Sequence, residues 1–208
     1  MAQNLTPTKS NLINARNSLK MASQGYDMLD LKRRLLMREL AKYTDEEKRL
    51  QEELRDTLAA ATDALREANV RMGLERVGAL AASIPEINDI DIIFYSVMGV
   101  EIPVVRTQSR PERKPHMSLY KTDLSLDEAA FRFSKVTELC MRCAEVHSAA
   151  ERLNRSIRKT QTRANALKNI MIPRYTRIIA EISDAIEEKE RGEFSRLKAI
   201  KKIVENKS

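Results

Sequence analysis

The sequence is poor in the residues that make turns. Its 208 residues contain five glycines and six prolines, about 2–3% each where ordinary chains run roughly 7% and 5%. Seven of these eleven (Gly73, Gly78, Pro85, Gly99, Pro103, Pro111 and Pro115) fall between 73 and 115, leaving two long stretches almost free of them. Sandwiches, barrels and glycine-rich nucleotide folds are disfavoured, because each needs many turns. Two cysteines build no disulfide framework and fit a reducing cytosol. The longest uncharged runs are nine residues, 77–85 and 92–100, well short of the roughly 20 that a membrane-spanning helix needs. The first residues, MAQNLTPTKSNL, lack a signal-peptide core. A soluble chain without direct membrane insertion is expected. No Walker-type loop, GxGxxG, HExxH or GxSxG occurs, and there are only two histidines. Neither an intrinsic enzymatic activity nor a cofactor is expected.

Charge and periodic apolar residues are what the sequence does contain. Apolar residues make up 42%, too many and too regular for a disordered chain. From about 8 to 72 the pattern predicts one helix, with Thr6 as its cap and Pro7 in the first turn. Leu5, Leu12, Leu19, Tyr26 and Leu40 lie on one seven-residue row, broken by Arg33. Ala15, Ala22, Leu29, Leu36, Tyr43 and Leu50 lie on a second row, three residues along. Two such rows form a coiled-coil seam with a left-handed supercoil. Beyond Leu50 the spacing (Leu54, Leu58, Ala61, Leu65, Ala68, Met72) reads closer to a 3.6 period. At 1.5 Å per residue this helix is roughly 95 Å long.

Residues 90–106, IDIIFYSVMGVEIPVVR, are β-branched and aromatic. They predict a two-stranded hairpin, about 91–97 with 100–105, turning near Gly99. Pro103 places the second strand at an edge. Residues 107–123 read as a polar loop. A second helical stretch is expected from Ser125 to about 204, with Asp127 and Glu128 in its first turn. Val146, Leu153, Thr160 and Leu167 form one of its rows, and Ala150, Ile157, Ala164, Met171 and Ile178 another. Ile182, Ile186, Leu197, Ile200 and Val204 carry the apolar face onward. Pro173 falls inside this pattern and predicts a kink or break.

Neither helix is stable alone with one apolar stripe. The expected fold is all-α: a long antiparallel left-handed two-helix coiled coil, with both chain ends at one tip and a short β-hairpin and loop in mid-chain. The expected parts are an N-terminal helix at 1–72, a central hairpin and loop segment at 73–123 and a C-terminal helix at 124–208, within one structural unit.

Three groups of residues carry chemistry. Cys140, Cys143 and His147 share one helix face and are zinc-ligand types. Small side chains filling a tight seam are the favoured reading, since a structural zinc needs a fourth ligand and His116 is the only other histidine. A redox role for CMRC is weaker still, because the pair sits mid-helix. The second group is basic: residues 151–177 carry Arg152, Arg155, Arg158, Lys159, Arg163, Lys168, Arg174 and Arg177 against Glu151 alone. An acidic protein collar is favoured over a merely solvated face. A nucleic acid and an acidic membrane are the other two targets: the lack of interleaved aromatics speaks against single-strand binding, and a membrane would want aromatics on the opposite face, where this stretch has only Tyr175. The third group is the hairpin, whose Ile92, Phe94, Val100, Ile102 and Val104 are too apolar for an isolated ribbon. One face is expected to pack on the helices, and the other face or the free edge to dock a partner.

LTPTKSNLINARNSLKMASQGYDMLDLKRRLLMREL (5–40), VMGVEIPVV (97–105) and above all RANALKNIMIPRYTRIIAEISDAIEEKERGEFSRLKAIKK (163–202) resemble the D subunit of the V-type and A-type rotary ATPases, in order and spacing. The resemblance implies a central rotor shaft without catalytic residues of its own. It implies three partners: a hexameric catalytic head of A and B subunits, a small stalk subunit of the F type and a membrane-side rotor adaptor. It implies coupling of ATP hydrolysis or synthesis to proton or sodium movement, and a cytoplasmic site peripheral to the membrane. From charge, Arg155, Arg158, Lys159, Arg163, Lys198, Lys201 and Lys202 are candidate contacts, and from the hairpin Phe94, Tyr95, Met98, Val100 and Ile102. The alternatives are a basic coiled-coil scaffold or adaptor and a nucleic-acid-binding protein.

Overall fold

The computed structural model describes residues 6–82, 90–107 and 123–205. Leu5, most of the 107–123 loop and His116 lie outside them. In chain order come α1 (Lys9–Met72), α2 (Leu74–Ala81), β1 (Ile90–Val97), β2 (Val100–Thr107), α3 (Leu124–Ala166), a π-helical turn (Leu167–Met171) and α4 (Ile172–Glu205). They divide into two compact units, one from the chain up to Arg34 and from Arg158 onward, the other Leu35–Ile157.

In the Leu35–Ile157 unit, α1 runs antiparallel to α3. Leu36 packs on Ala149 and Leu153, Leu50 on Leu139 and Val146, and Ala68 on Leu126. Arg132 Nη1 donates to the Ala60 carbonyl at 3.1 Å. Leu36 and Leu153 are wholly buried. Beyond Leu50 the expected row is largely followed: Ala61 and Ala68 are buried, Leu54 packs beside Leu50, and Leu65 and Met72 pack beside Ala68. Leu58 alone of that row is exposed.

Gly73, at φ 85°, ends α1 and its N–H donates to the Asn69 carbonyl at 3.0 Å. Glycine adopts this left-handed conformation without a Cβ clash. The chain then re-enters a helix, α2, inside the stretch expected to hold only hairpin and loop. Val77 of α2 joins the cluster of Ala68 and Leu126. Eight residues are too few for helical periodicity to stand out in the sequence. At the start of α3, the Leu126 N–H donates to the Asp123 carbonyl at 3.0 Å and the Ser125 hydroxyl to the Asp123 carboxylate at 3.0 Å.

β1 and β2 pair antiparallel from Val97↔Val100 to Ile90↔Thr107. Met98 (φ 52°) and Gly99 (φ 78°) both have positive φ, the two-residue turn that matches the twist of the strands. Val100 and Ile102 are buried against Leu36, Ala149 and Leu153, so one ribbon face packs on the helix pair, as expected. Pro103 stands opposite Phe94, at a position whose amide faces away from β1, where a missing N–H removes no ladder bond.

In the other unit the pairing is also antiparallel. Lys9 Nζ meets Glu190 at 2.9 Å, Lys168 Nζ lies 5.7 Å from the Tyr26 ring centroid, and Arg33 Nη1 donates to Gln161 Oε1 at 2.8 Å. Ala15, Ala22, Thr160, Ala164 and Ile182 are buried. The α1 cap is Thr8, whose hydroxyl accepts the Asn11 N–H at 3.3 Å. The Asn11 side-chain amide takes the carbonyl of Thr6 at 2.8 Å, which leaves Thr6 outside the helix and displaces the expected cap by two residues. At Pro173 the chain stays helical and inserts the π turn just before it. Proline lacks an N–H and its ring crowds the carbonyl four residues earlier, here that of Asn169. A wider turn relieves that clash.

Candidate partner-binding surfaces

Leu153, Thr160 and Ala164 of α3 are buried and Ile157 half-buried, so helical spacing turns Arg155, Arg158, Lys159 and Arg163 outward, and all four are exposed. Arg155 pairs with Glu151 at 2.9 Å. Arg158, Lys159 and Arg163 have no acidic partner among the described residues. Arg155 belongs to the Leu35–Ile157 unit and the other three to the second unit. Lys198, Lys201 and Lys202 of α4 are exposed, with Lys201 3.7 Å from Glu205. Leu197, Ile200 and Val204, expected to continue the buried face, are exposed there together with Phe194 and Ile203. The last pair identified along α4 is Lys9–Glu190, so α1 supplies no surface to bury them among the described residues.

On the ribbon, the structure separates the five candidates. Val100 and Ile102 are committed to the core. Phe94 (51% exposed), Tyr95 and Met98 (42%) are on the surface. The Arg152 guanidinium lies 5.0 Å from the Phe94 ring centroid, a cation–π geometry, and donates to the Glu101 carbonyl at 3.3 Å. Arg106 donates to the Tyr95 hydroxyl at 2.9 Å. Met98 holds a left-handed conformation unusual for a residue with a Cβ, and its exposed side chain gains no core contact in return.

Among the described residues the cysteine and histidine group is not gathered around a metal position, and it packs into the seam only in part. Among the described residues no three His, Cys, Asp or Glu side chains are placed to hold a metal ion. Cys140 is exposed and Cys143 half-buried, so the packing reading holds only for Cys143. Burial first, and then the charge of Glu47, push its thiol up, which keeps it protonated and a weak nucleophile. His147 instead bonds across to α1, Nδ1 to Glu47 Oε1 at 2.7 Å. Spacing along one helix pointed to Cys140 and Cys143, and only the pairing of two helices reveals Glu47 as the partner of His147.

Antiparallel helix pairs joined by a narrow apolar seam, with a short β-ribbon laid on one of them, define a coiled-coil protein whose outer faces mix charge with exposed apolar residues. No helix among the described residues is long and apolar enough to cross a membrane. The family model for the ATP synthase D subunit matches residues 11–202. The chain is 42% identical over 200 residues to the V-type ATP synthase D subunit of Thermotoga neapolitana, covering 96% of this chain and 98% of that protein. It is 35% identical to the A-type ATP synthase D subunit of Methanobrevibacter smithii (98% and 89% covered) and 31% identical to that of Thermococcus kodakarensis (99% and 97%). The chain belongs to the ATP synthase D subunit family, whose members are central-stalk subunits of rotary ATPases. The scaffold and nucleic-acid readings find no support among these relatives.

Proposed function

We propose that this chain is the rotor shaft that couples ATP hydrolysis or synthesis in a hexameric A/B catalytic head to proton or sodium movement in a membrane rotor. It does so without catalytic residues of its own. A small F-type stalk subunit and a membrane-side adaptor are its other partners, and its place is cytoplasmic and peripheral to the membrane. No nucleic acid is involved. The observation that carries this reading is the narrow seam: each helix pair buries one stripe, and its outer faces carry charges interspersed with exposed apolar residues such as Met21, Met28, Leu31 and Phe194. Two helices stiffened along one seam can turn within a protein sleeve that contacts those faces. Arg158, Lys159 and Arg163, which have no acidic partner among the described residues, attract acidic groups of the sleeve and favour particular angular positions, which biases each catalytic interface towards one of its states. Lys198, Lys201 and Lys202 act in the same way on α4. Met98, kept in a costly conformation with an exposed side chain, serves contact more than folding, as do Phe94 and Tyr95.

The test is a complex purified with Arg155, Arg158 and Arg163 all changed to Glu. Coupled ATP turnover is expected to fall several-fold while the melting temperature of the subunit is unchanged. Unchanged turnover overturns the sleeve contact. Failure of the wild-type chain to co-purify with an ATPase head overturns the shaft.

A further inference from the structure

The fold treats the two edges of the ribbon differently. Residues 97 and 100 flank the turn as a ladder-bonded pair, and bonded and non-bonded pairs alternate from there. On β2, residues 101, 103 and 105 therefore direct their backbone groups outward. That edge is closed: Arg152 donates to the Glu101 carbonyl at 3.3 Å, the Val105 N–H donates to Glu145 Oε2 at 3.1 Å, and Pro103 has no N–H. On β1 the outward residues are Ile90, Ile92, Phe94 and Ser96. No strand among the described residues pairs with them, since the sheet holds only β1 and β2.

Edge strands are ordinarily guarded by lysine, proline, bulges or covering elements. The β1 sequence IDIIFYSV has no lysine or proline. Its one charge, Asp91, sits at a ladder-bonded position. The same outward residues put Ile92 (57% exposed) and Phe94 on the ribbon face opposite to Val100 and Ile102, where both are exposed and Arg152 of α3 reaches round to the Phe94 ring. An apolar edge of eight residues that no strand covers among the described residues is a liability in a lone protein and a docking rail in an assembly.

We propose that the outer edge of β1 receives an extended segment of a partner subunit as a third strand. The inference rests on the reading of the chain as a stalk subunit of a larger complex. Main-chain hydrogen bonds from residues 92, 94 and 96 supply the pairing, and alternate side chains supply selectivity. The occupant is apolar at the alternate positions that flank Ile92 and Phe94. It carries an acidic residue at the Phe94 end, because the Arg152 guanidinium stands over that ring with no acidic partner among the described residues.

Amide hydrogen exchange across 90–107 tests this, with the isolated full-length chain compared with the purified whole complex. The outward amides of 92, 94 and 96 are expected to exchange at least tenfold more slowly in the complex. Ile92→Pro removes an outward N–H and leaves the ladder bonds in place. It is expected to abolish that protection and loosen the complex in high salt, with Arg152→Glu doing the same from the charge side. Should Ile92→Pro disturb the ribbon, Ile92→Lys at the same exposed site replaces it. Equal exchange in chain and complex overturns the third strand while leaving the shaft intact. Protection that appears in the isolated chain as its concentration rises assigns the edge to a second copy and overturns the proposed occupant. A chain that enters no complex counts against both readings.

Discussion

Glu47 stands on a seam row, seven residues beyond Leu40, where a carboxylate left alone would be costly. Its side chain is 17% exposed and that of His147 is 65% exposed, so the histidine reaches in from the rim. The hydrogen bond to Glu47 first, and then its charge, raise the pKa of His147 above the ordinary 6.5. Proton resonance titration of His147 is expected to give a midpoint above that value, and Glu47→Gln is expected to return it towards 6.5. A midpoint unmoved by the substitution would show that the pair does not form in solution. Met98 carries the opposite kind of cost. A left-handed residue with a Cβ is disfavoured by roughly 1–2 kcal/mol, and asparagine tolerates the position better. Met98→Asn is expected to stabilise the ribbon by about 1 kcal/mol in chemical denaturation while weakening assembly. Stronger assembly would remove Met98 from the contact surface.

Elements here are held by their burial more than by their propensity. Leu153→Ala leaves a cavity shared by α1, α3 and the ribbon, and is expected to cost about 2–5 kcal/mol. Leu58→Ala, on an exposed face of α1, is expected to change stability by no more than about 0.5 kcal/mol. Comparable losses at both sites in urea denaturation would contradict the seam assignment. Pro173→Ala restores an N–H to the helix and removes the clash that the π turn relieves. It is expected to raise the melting temperature. A lower one would mean that the π turn itself matters, because it carries Leu167, whose Cδ1 approaches the Gly25 Cβ position to 3.5 Å. The helices and the hairpin were legible from periodicity and from Met98-Gly99. α2 was not, since it is two turns long and is stabilised by Val77 packing on Ala68 and Leu126. The Thr8 cap was missed because the side-chain amide of Asn11 competes for Thr6, which no spacing rule anticipates.

At the scale of the whole molecule, titrating pairs bound the pH range of stability. Asp123 at the start of α3 has its pKa lowered, by the Ser125 hydroxyl first and then by the Leu124 N–H and Arg71. Its contribution is present above its ordinary 3.8 and is lost as pH falls through the lower folded value. His147 contributes fully below 6.5 and loses that contribution as pH rises through its raised folded value. The melting temperature is expected to be highest between these limits. Glu47→Gln is expected to flatten the alkaline side and Asp123→Ala the acid side. A wild-type profile flat from pH 3 to 9 would dismiss both.

The sequence by itself determined that two long helices exist, which stripe of each is buried, that a ribbon interrupts them, and to which family the chain belongs. These are properties of local periodicity and turn chemistry, readable in a single strand of residues. Tertiary structure alone decided that Glu47 answers His147, that Val100 and Ile102 are spent on the core, and that one edge of the ribbon is closed by Glu145 and Arg152 while no strand among the described residues pairs with the other. Each of these depends on residues about 40 to 117 positions apart meeting in space, and such distances follow from the register of paired helices, which a linear pattern does not contain.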